Sequence, residues 1–238
     1  MRGFVDIHSH FLYGVDDGAR TKEDMEAMLD AAHANGIAVL YATPHITPGI
    51  KRFDMELCRL HLEEAKAYCA TRNYSMELRL GGELLYTPMF ERYAMEHELP
   101  TLGDSEQILI EFLPDVSFSE LEAAVDLSER LGYLPVLAHI ERYKCMMRFT
   151  NAWKLKKKYN VCYQVNASTV LQRRGIYSDW MIHRWFSDRL IDYVACDAHN
   201  CRKRTYRMRT AFTALKQRYG KRYASYLTCA KVSEEEEE

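Results

Sequence analysis

The sequence lacks several features that define other classes of protein. None of its 238 residues belongs to an apolar run of 18, so it predicts no membrane-spanning helix and no insertion into a membrane. The first strand-like residues begin almost at once, without the apolar segment and small-residue cleavage site of a secretory signal peptide. Proline-rich or glycine-rich stretches, internal repeats and low-complexity linkers are missing too, so no domain boundary is indicated.

Cysteine is present but without a pattern. The seven cysteines are odd in number and scattered, and none forms a C-x-x-C pair. This usage favours reduced thiols over a disulfide framework. Together with the missing signal segment, it predicts a cytoplasmic protein.

The net charge of −2 conceals an uneven distribution. Residues 1–140 hold 11 Lys and Arg against 24 Asp and Glu, whereas residues 141–222 hold 20 against 5. A basic half can attract phosphate or nucleic acid, although solvated helix faces would give the same composition. The glutamate run at 234–238 is typical of a solvated tail, which we assign to residues 231–238.

Strand-like runs alternate with segments of helical periodicity. The runs fall near 4–7, 37–42, 76–82, 107–112, 134–138, 161–165 and 192–196. Seven such runs indicate a parallel, right-handed α/β architecture. A closed or distorted barrel suits the sequence better than an open sheet, because a barrel gathers side chains from many strand ends.

Imidazole and carboxylate groups follow these runs repeatedly. His8 and His10 are two residues apart at the end of the first run, so both can face one ion. Any one such residue could be a surface histidine or part of a salt bridge. Parallel strands, however, bring their C-terminal ends to one face, and imidazole and carboxylate together bind Zn, Mn or Fe. We therefore expect a multinuclear metal site. The strand-end candidates are His8, His10, His45, Glu83, Glu111, His139, Asp197 and His199.

Two further carboxylates precede Gly18. Asp16 and Asp17 could both be turn residues, since aspartate before glycine is common in turns. We expect one of them to be a metal ligand and the other to hold the turn.

Several short motifs occur in order from residue 4 to about 204. They are Asp6-Ile7-His8-Ser9-His10, Val15-Asp16-Asp17-Gly18, Thr43-Pro44-His45, Gly82-Glu83-Leu84-Leu85-Tyr86-Thr87, Leu109-Ile110-Glu111-Phe112, Ala138-His139-Ile140-Glu141-Arg142-Tyr143, Gln164-Val165-Asn166-Ala167-Ser168 and Asp197-Ala198-His199-Asn200. With these motifs the sequence resembles the polymerase-and-histidinol-phosphatase (PHP) superfamily. Within it, the chain resembles the bacterial manganese-dependent protein-tyrosine phosphatases of capsule and exopolysaccharide synthesis.

The resemblance implies one PHP domain over residues 1–230, a distorted (β/α)₇ TIM-like barrel with a trinuclear metal centre at its C-terminal mouth. Manganese is the implied metal, with Fe, Zn or Co as alternatives. Glu83 would bridge two ions, Arg142 would hold the substrate phosphate, and Arg204 would be a second phosphate contact. The implied ligands are His8, His10, Asp17, His45, Glu83, Glu111, His139, Asp197 and His199.

The implied reaction is hydrolysis of phosphotyrosine by a metal-bound hydroxide. The substrate would be a phosphotyrosine protein, namely a tyrosine kinase of capsule or exopolysaccharide synthesis. His45 is a candidate acid for the leaving oxygen, and the loop at residues 48–53 is a candidate substrate contact.

Three other interpretations remain open at this point. The segments from Cys196 to Arg202 and from Cys201 to Arg207 fit C-x₅-R, the pattern of cysteine-dependent phosphatases. That reading is weakened because no glycine lies between Cys196 and Arg202 and because Asp197 would repel phosphate. A small-molecule phosphatase acting on histidinol phosphate, or a phosphoesterase acting on nucleic acid, would have the same fold, although no nucleic-acid module is present. The third interpretation is that the chain is a metal-bearing scaffold without catalytic activity.

Overall fold

The computed structural model of the chain describes residues 3–49 and 53–228. Part of the candidate substrate loop, the last cysteine and the predicted acidic tail lie outside these residues. The strands in the described part are β1 Phe4–Asp6, β2 Ile37–Ala42, β3 His45–Ile46, β4 Glu77–Leu80, β5 Glu83–Leu85, β6 Gln107–Glu111, β7 Leu134–Leu137, β8 Cys162–Asn166 and β9 Tyr193–Ala195.

Short additional strands follow two of the predicted runs. The run predicted over 37–42 is confirmed as β2, and β3 begins at His45 after Pro44, which has no amide hydrogen for a ladder. The run predicted over 76–82 was wrong at its end, because β4 stops at Leu80 and β5 starts at Glu83. A Cβ on Gly82 would lie 2.5 Å from Ile46 Cδ1 and 2.9 Å from Pro100 Cγ, so a larger residue would force these neighbours to shift. These breaks set the positions of His45 and Glu83, which begin the short strands β3 and β5.

Every strand pairing found in residues 3–49 and 53–228 is parallel, as the alternation of strands and helices predicted. The ladders form a three-stranded sheet in the order β1-β2-β4 and a six-stranded sheet in the order β3-β5-β6-β7-β8-β9. A parallel bridge joins Ser9, just after β1, to Ala198, just after β9, and His10 N donates to Ala198 O at 2.9 Å. The chain therefore has a mixed α/β fold in which the first and last strands are neighbours.

Helices alternate with the strands over the described residues, and three of them begin with a side-chain N-cap. Thr21 and Asp24 form a capping box before the helix that starts at Lys22, Ser117 and Glu120 form another before Phe118, and Asp54 caps the helix that starts at Met55. The helices are α1 Lys22–Ala34, α2 Met55–Thr71, α3 Phe90–Glu96, α4 Phe118–Arg130, α5 Asn151–Lys158, α6 Ala167–Leu171, α7 Ile176–Ser187, α8 Met208–Tyr219 and α9 Lys221–Thr228, with a short 3₁₀ helix at Ile140–Arg142.

The packing of β6 shows which face of the strand the side chain of Glu111 occupies at its C-terminal end. Ile108 and Ile110 belong to the large core between strands and helices, whereas Leu109 belongs to a smaller cluster with Val136 and Ala195. Residues two apart on a strand face the same way, so Glu111 extends from the side of the smaller cluster. Among the described residues, no helix combines the length and the apolar character needed to cross a bilayer.

Candidate metal centre

The nine side chains predicted as ligands meet in one cluster at the C-terminal ends of the strands. They fall into four groups, and within each group the candidate ligand atoms lie within 4.8 Å of one another. His8, His10, His45 and Glu83 each belong to two groups, so the groups form one continuous cluster. The groups are His10, Asp17, His45 and His199; His8, His10 and Asp197; His8, Glu83 and His139; and His45, Glu83 and Glu111.

The two histidines that follow β1 are fully enclosed. Their Nε2 atoms lie 3.2 Å apart, and each also faces the Glu83 carboxylate, at 3.1 Å from His8 and 3.3 Å from His10. Two imidazole nitrogens at about 2.0–2.1 Å from a tetrahedral ion would be about 3.3 Å apart. The spacing of His8 and His10 therefore fits two ligands of one cation.

Glu83 lies at the centre of the cluster and is completely buried. His45 Nδ1 lies 3.0 Å from its Oε2, and His139 Nε2 lies 2.9 Å from its Oε1. Burial acts to raise the pKa of Glu83, but the surrounding imidazoles outweigh it and hold that pKa well below its ordinary value. A buried carboxylate of this kind needs positive charge close by, which protons on imidazoles or bound cations can supply.

Two atoms of the cluster have unused capacity for a ligand. Within the described residues, Glu83 Oε2 and His199 Nε2 are buried and make no well-aligned hydrogen bond, although they face other candidate ligand atoms at 3.0–3.3 Å. Burial is the main reason that the pKa of His199 is lowered to about 3, so its ring is neutral at physiological pH. Neutral imidazole and ionised carboxylate are the forms that bind metal, so these residues fit a divalent cation.

Asp16 and Asp17 lie in different places, Asp17 among the other predicted ligands and Asp16 in the turn before Gly18. Asp17 Oδ1 lies 3.2 Å from Nε2 of both His45 and His199, inside the cluster. Asp16 accepts the Gly18 amide at 2.9 Å, which holds the turn, and its other oxygen lies 2.7 Å from His10 Nδ1. A carboxylate on the far nitrogen fixes the tautomer of a metal-binding histidine, so Asp16 orients His10 from outside the cluster.

Two of the clustered residues have left-handed backbones. His139 has φ 29° and Asp197 has φ 52°. Residues other than glycine rarely adopt this backbone region, and holding one there costs about 1–3 kcal/mol of folding free energy. His139 is held there by its amide, which donates to Gln164 Oε1 at 2.8 Å, and Asp197 by its amide, which donates to His8 O at 2.9 Å. These conformations turn both side chains towards the cluster at the ends of β7 and β9.

Sequence reasoning gave no role to Gln164 and Asn166, although both lie in a quoted motif. Gln164 Oε1 lies 3.2 Å from His8 Nδ1, and its amide nitrogen donates to Asn166 Oδ1 at 2.8 Å. Asn166 in turn donates to Asp197 Oδ2 at 3.0 Å. These two amides therefore contact two side chains of the cluster, those of His8 and Asp197. The available sequence signal was a pair of amide residues two positions apart on the otherwise apolar strand β8.

Both predicted phosphate-binding arginines reach the cluster through Asp197. The Arg142 guanidinium donates to Asp197 Oδ2, and Arg204 Nη2 donates to Asp197 Oδ1 at 2.9 Å. Arg204 Nη1 also lies 3.6 Å from Asp17. The arginines thus add positive charge at the partly exposed edge of a buried, acidic cluster.

The cysteine-dependent interpretation does not agree with the environment of the thiols. Cys196 is buried, and burial followed by the charge of Asp6 raises its pKa well above the ordinary value. Burial also raises the pKa of Cys201. A nucleophilic cysteine needs a lowered pKa, so neither residue has the environment of a reactive thiolate.

Comparison with known proteins identifies relatives over nearly the full length. The chain is 29% identical over 234 residues to the tyrosine-protein phosphatase CpsB of Streptococcus agalactiae, with 94% of each covered. It matches a chain from the crystal structures of YwqE from Bacillus subtilis and CpsB from Streptococcus pneumoniae, described as unique metal-dependent tyrosine phosphatases. The TM-score is 0.82 at 25% identity, covering 92% of this chain and 89% of that one. A histidinol phosphate phosphatase from Lactococcus lactis shares the fold, with a TM-score of 0.55 and 11% identity over 93% of this chain and 94% of that one.

The family comparison covers the same span. The family described as capsular polysaccharide synthesis, CpsB/CapC, matches residues 4–234. This match confirms the resemblance that the sequence motifs indicated. The chain therefore belongs to the CpsB/CapC family of capsular polysaccharide synthesis.

Proposed function

We propose that this chain is a metal-dependent protein-tyrosine phosphatase. The observation that carries the proposal is the convergence of nine nitrogen and oxygen ligands, with two arginines at the edge of the same cluster. The full-length similarity to proteins named tyrosine-protein phosphatases supports phosphotyrosine as the substrate. The substrate protein would be a tyrosine kinase of capsule or exopolysaccharide synthesis, acting with this chain in the cytoplasm.

We further infer a distorted (β/α)₇ barrel, formed by a single domain over residues 1–230. In this description β2 with β3, and β4 with β5, each count as one interrupted strand. The bridge between Ser9 and Ala198 supports contact between the first and last strands of such a barrel. A barrel accounts for ligands that come from every one of its strands except β8.

The cluster would hold three divalent ions, with manganese as the proposed metal. Its ligands are all imidazole nitrogens and carboxylate oxygens, a set that also accepts Fe, Zn or Co. Glu83 belongs to two of the four groups and faces imidazoles with both oxygens, which suits a carboxylate shared by two ions. When bound, such ions supply Lewis acidity and make hydroxide available near neutral pH.

Arg142 and Arg204 would bind the phosphoryl group. The guanidinium fork matches two phosphate oxygens, and its charge offsets the charge that builds on those oxygens during hydrolysis. Their present partner, Asp197, is a carboxylate, so an oxyanion is the kind of group they already bind. Arg142 is also close to the His139 strand end, because it ends the 3₁₀ helix that follows β7.

A cavity beside His45 would take the phenyl ring of the substrate. Its volume is about 140 Å³, and apolar side chains that line it include Val15, Phe53 and Leu57. Both ring nitrogens of His45 face carboxylates, at 3.0 Å from Glu83 and 3.2 Å from Asp17. We therefore assign His45 as a ligand rather than as the acid. Tyrosine has a pKa near 10, so its phenolate leaves without strong acid assistance.

Activity on a panel of substrates tests the proposed function. The purified chain would be loaded with Mn²⁺ and assayed on a phosphotyrosine peptide, histidinol phosphate and single-stranded DNA. The proposal predicts the highest kcat/KM on the peptide. A higher value on histidinol phosphate or on DNA would assign the cluster to one of the other phosphoesterase reactions.

A further inference from the structure

Four aromatic side chains form a continuous row on the surface at the starts of α5 and α7. The ring centroids of Phe149 and Trp180 are 5.6 Å apart with planes 15° from parallel, and Trp153 and Tyr177 extend the row at 5.8 Å and 6.1 Å. Phe149, Tyr177 and Trp180 are 53%, 54% and 45% exposed. A contiguous apolar surface of this kind marks an interaction site more often than scattered exposed residues do.

The aromatic row is built from segments that leave the strand ends next to the metal cluster. Phe149 and Trp153 lie where α5 begins, after β7 and Arg142, and Tyr177 and Trp180 lie where α7 begins, after β8. In parallel α/β folds, segments that follow the C-terminal ends of strands emerge on the face that carries the site. The Tyr177 hydroxyl donates to Met147 O at 2.7 Å and ties the two segments together.

Two hydrogen bonds connect the segment just before Tyr177 to Glu141, the residue that precedes Arg142 in the chain. Arg174, three residues before Tyr177, donates through Nη1 to Thr169 Oγ1 at 3.1 Å. The Thr169 hydroxyl donates to Glu141 Oε1 at 2.8 Å, and Glu141 is adjacent to Arg142 in the 3₁₀ helix. The segment that carries the row is thus fixed relative to the proposed phosphate contact.

The surroundings of the row are mainly positive. Arg148, Arg173 and Arg174 are exposed in the same two segments. Two carboxylates also lie here. Asp179 accepts the Arg174 amide at 2.9 Å, and Asp188 accepts a hydrogen bond from Trp153 Nε1 at 3.0 Å and pairs with Arg184 at 3.1 Å. Aromatic side chains and arginine are the residue types that contribute most to protein interfaces, and arginine favours acidic partners.

We propose that the aromatic row, with Arg148, Arg173 and Arg174, is a docking surface for the phosphoprotein substrate. The partner segment is extended and acidic, and it carries an aromatic side chain a few residues from the phosphotyrosine. The aromatic side chain stacks on the row while acidic groups meet the arginines. This inference rests on the proposed function, because it assumes that the phosphotyrosine itself enters the cluster beside Arg142.

Two substrates separate docking from chemistry. One is an acidic phosphotyrosine peptide with a second aromatic residue within about five positions, and the other is p-nitrophenyl phosphate, which is too small to reach both sites. For Trp180→Ala and Phe149→Ala we expect kcat/KM on the peptide to fall by about 10- to 100-fold, mainly through KM, since interface hot spots contribute about that much. Activity on p-nitrophenyl phosphate should stay within about twofold of the wild-type value.

Two control variants show whether a loss of peptide activity comes from the aromatic row itself. Met95→Ala removes a side chain that is 72% exposed in the last turn of α3, and it should leave both substrates unaffected. Phe149→Tyr keeps the ring and should retain peptide activity. If Trp180→Ala and Phe149→Ala leave peptide kinetics unchanged while p-nitrophenyl phosphate is hydrolysed normally, the docking surface is wrong.

Two further outcomes would overturn different parts of the account. If sedimentation shows that the wild type self-associates through this row and that Trp180→Ala only dissociates it, the row is a self-interface and the docking proposal is overturned. If the Mn²⁺-loaded wild type hydrolyses neither substrate, the proposed function itself fails.

Discussion

Arg142 and Arg204 donate to the two different oxygens of a single carboxylate, that of Asp197. Asp197 is buried, which acts to raise its pKa, but the charges of His8 and Arg142 outweigh burial and hold that pKa well below its ordinary value. The carboxylate is therefore ionised throughout the physiological range. Asp197 thus connects the two arginines to the histidines of the cluster and orients both guanidinium groups at its edge.

Replacing Arg142 should separate catalysis from metal binding. We expect Arg142→Ala to lower kcat/KM on a phosphotyrosine peptide by about 10²–10³-fold, the usual effect of removing one charge-stabilising donor from an active site. Arg142→Lys should recover only part of the activity, because lysine lacks the planar fork. Metal content, measured by elemental analysis, should remain that of the wild type. Loss of all metal from Arg142→Ala would count against its role as a phosphate contact.

Chelation should distinguish a metal enzyme from a cysteine enzyme. EDTA is expected to abolish hydrolysis, and added Mn²⁺ should restore it. Iodoacetamide should leave activity intact even if it alkylates the exposed Cys201, because no thiol takes part in the proposed reaction. The reverse pattern, inactivation by iodoacetamide and resistance to EDTA, would favour a cysteine nucleophile.

Metal binding should release protons. Burial acts to lower the pKa of His10, but hydrogen bonds from its ring to Asp16 and Glu83 outweigh burial and raise that pKa to about 10 in the absence of metal. A metal must displace this proton, so calorimetry at pH 7.5 in buffers of different ionisation enthalpy should show net proton release. Binding enthalpies that do not depend on the buffer would contradict the assignment of His10 as a ligand.

The same shift predicts how the stability of the metal-free protein depends on pH. A folded-state pKa of about 10 lies above the unfolded value of 6.5, so the contribution of His10 is fully present below pH 6.5. It is lost as the pH rises towards 10, and the melting temperature of the EDTA-treated protein should fall over this window. The Mn²⁺-loaded protein should not show that loss, because metal replaces the proton on His10.

Asp16 offers a test of indirect metal positioning. Asp16→Asn keeps an oxygen for the Gly18 amide but removes the carboxylate that faces His10 Nδ1 at 2.7 Å. Loss of such an outer partner typically lowers metal affinity by about 10–100-fold. A competition assay with a chelating dye would measure this change, and Asp24→Asn in the exposed capping box of α1 serves as a control. Equal metal affinity in Asp16→Asn and the wild type would exclude the orienting role.

Residues at strand ends were predictable because their pattern is local. The apolar run of β6 that ends at Glu111 and the i, i+2 spacing of His8 and His10 both mark strand ends, and parallel pairing brings such ends together. The start of α8 was not predictable in this way. Asn200 Oδ1 accepts the amides of Arg202 and Lys203 and so holds a turn there, and the helix begins only at Met208.

Contacts between distant segments account for most of what the sequence could not indicate. Gln164 contacts His8 across 156 positions, and no local pattern specifies that pairing. The left-handed backbone of His139 depends on the same glutamine side chain. The aromatic row likewise combines Phe149 with Trp180, which come together only because α5 and α7 begin side by side.

Anomalous diffraction at the manganese edge, from crystals grown with Mn²⁺, tests the central claim most directly. The claim predicts anomalous peaks inside the cluster, including one surrounded by His8, Glu83 and His139 and another by His10, Asp17, His45 and His199. Full Mn²⁺ occupancy elsewhere on the chain, with none between these side chains, would contradict a metal-dependent phosphatase centre at this position.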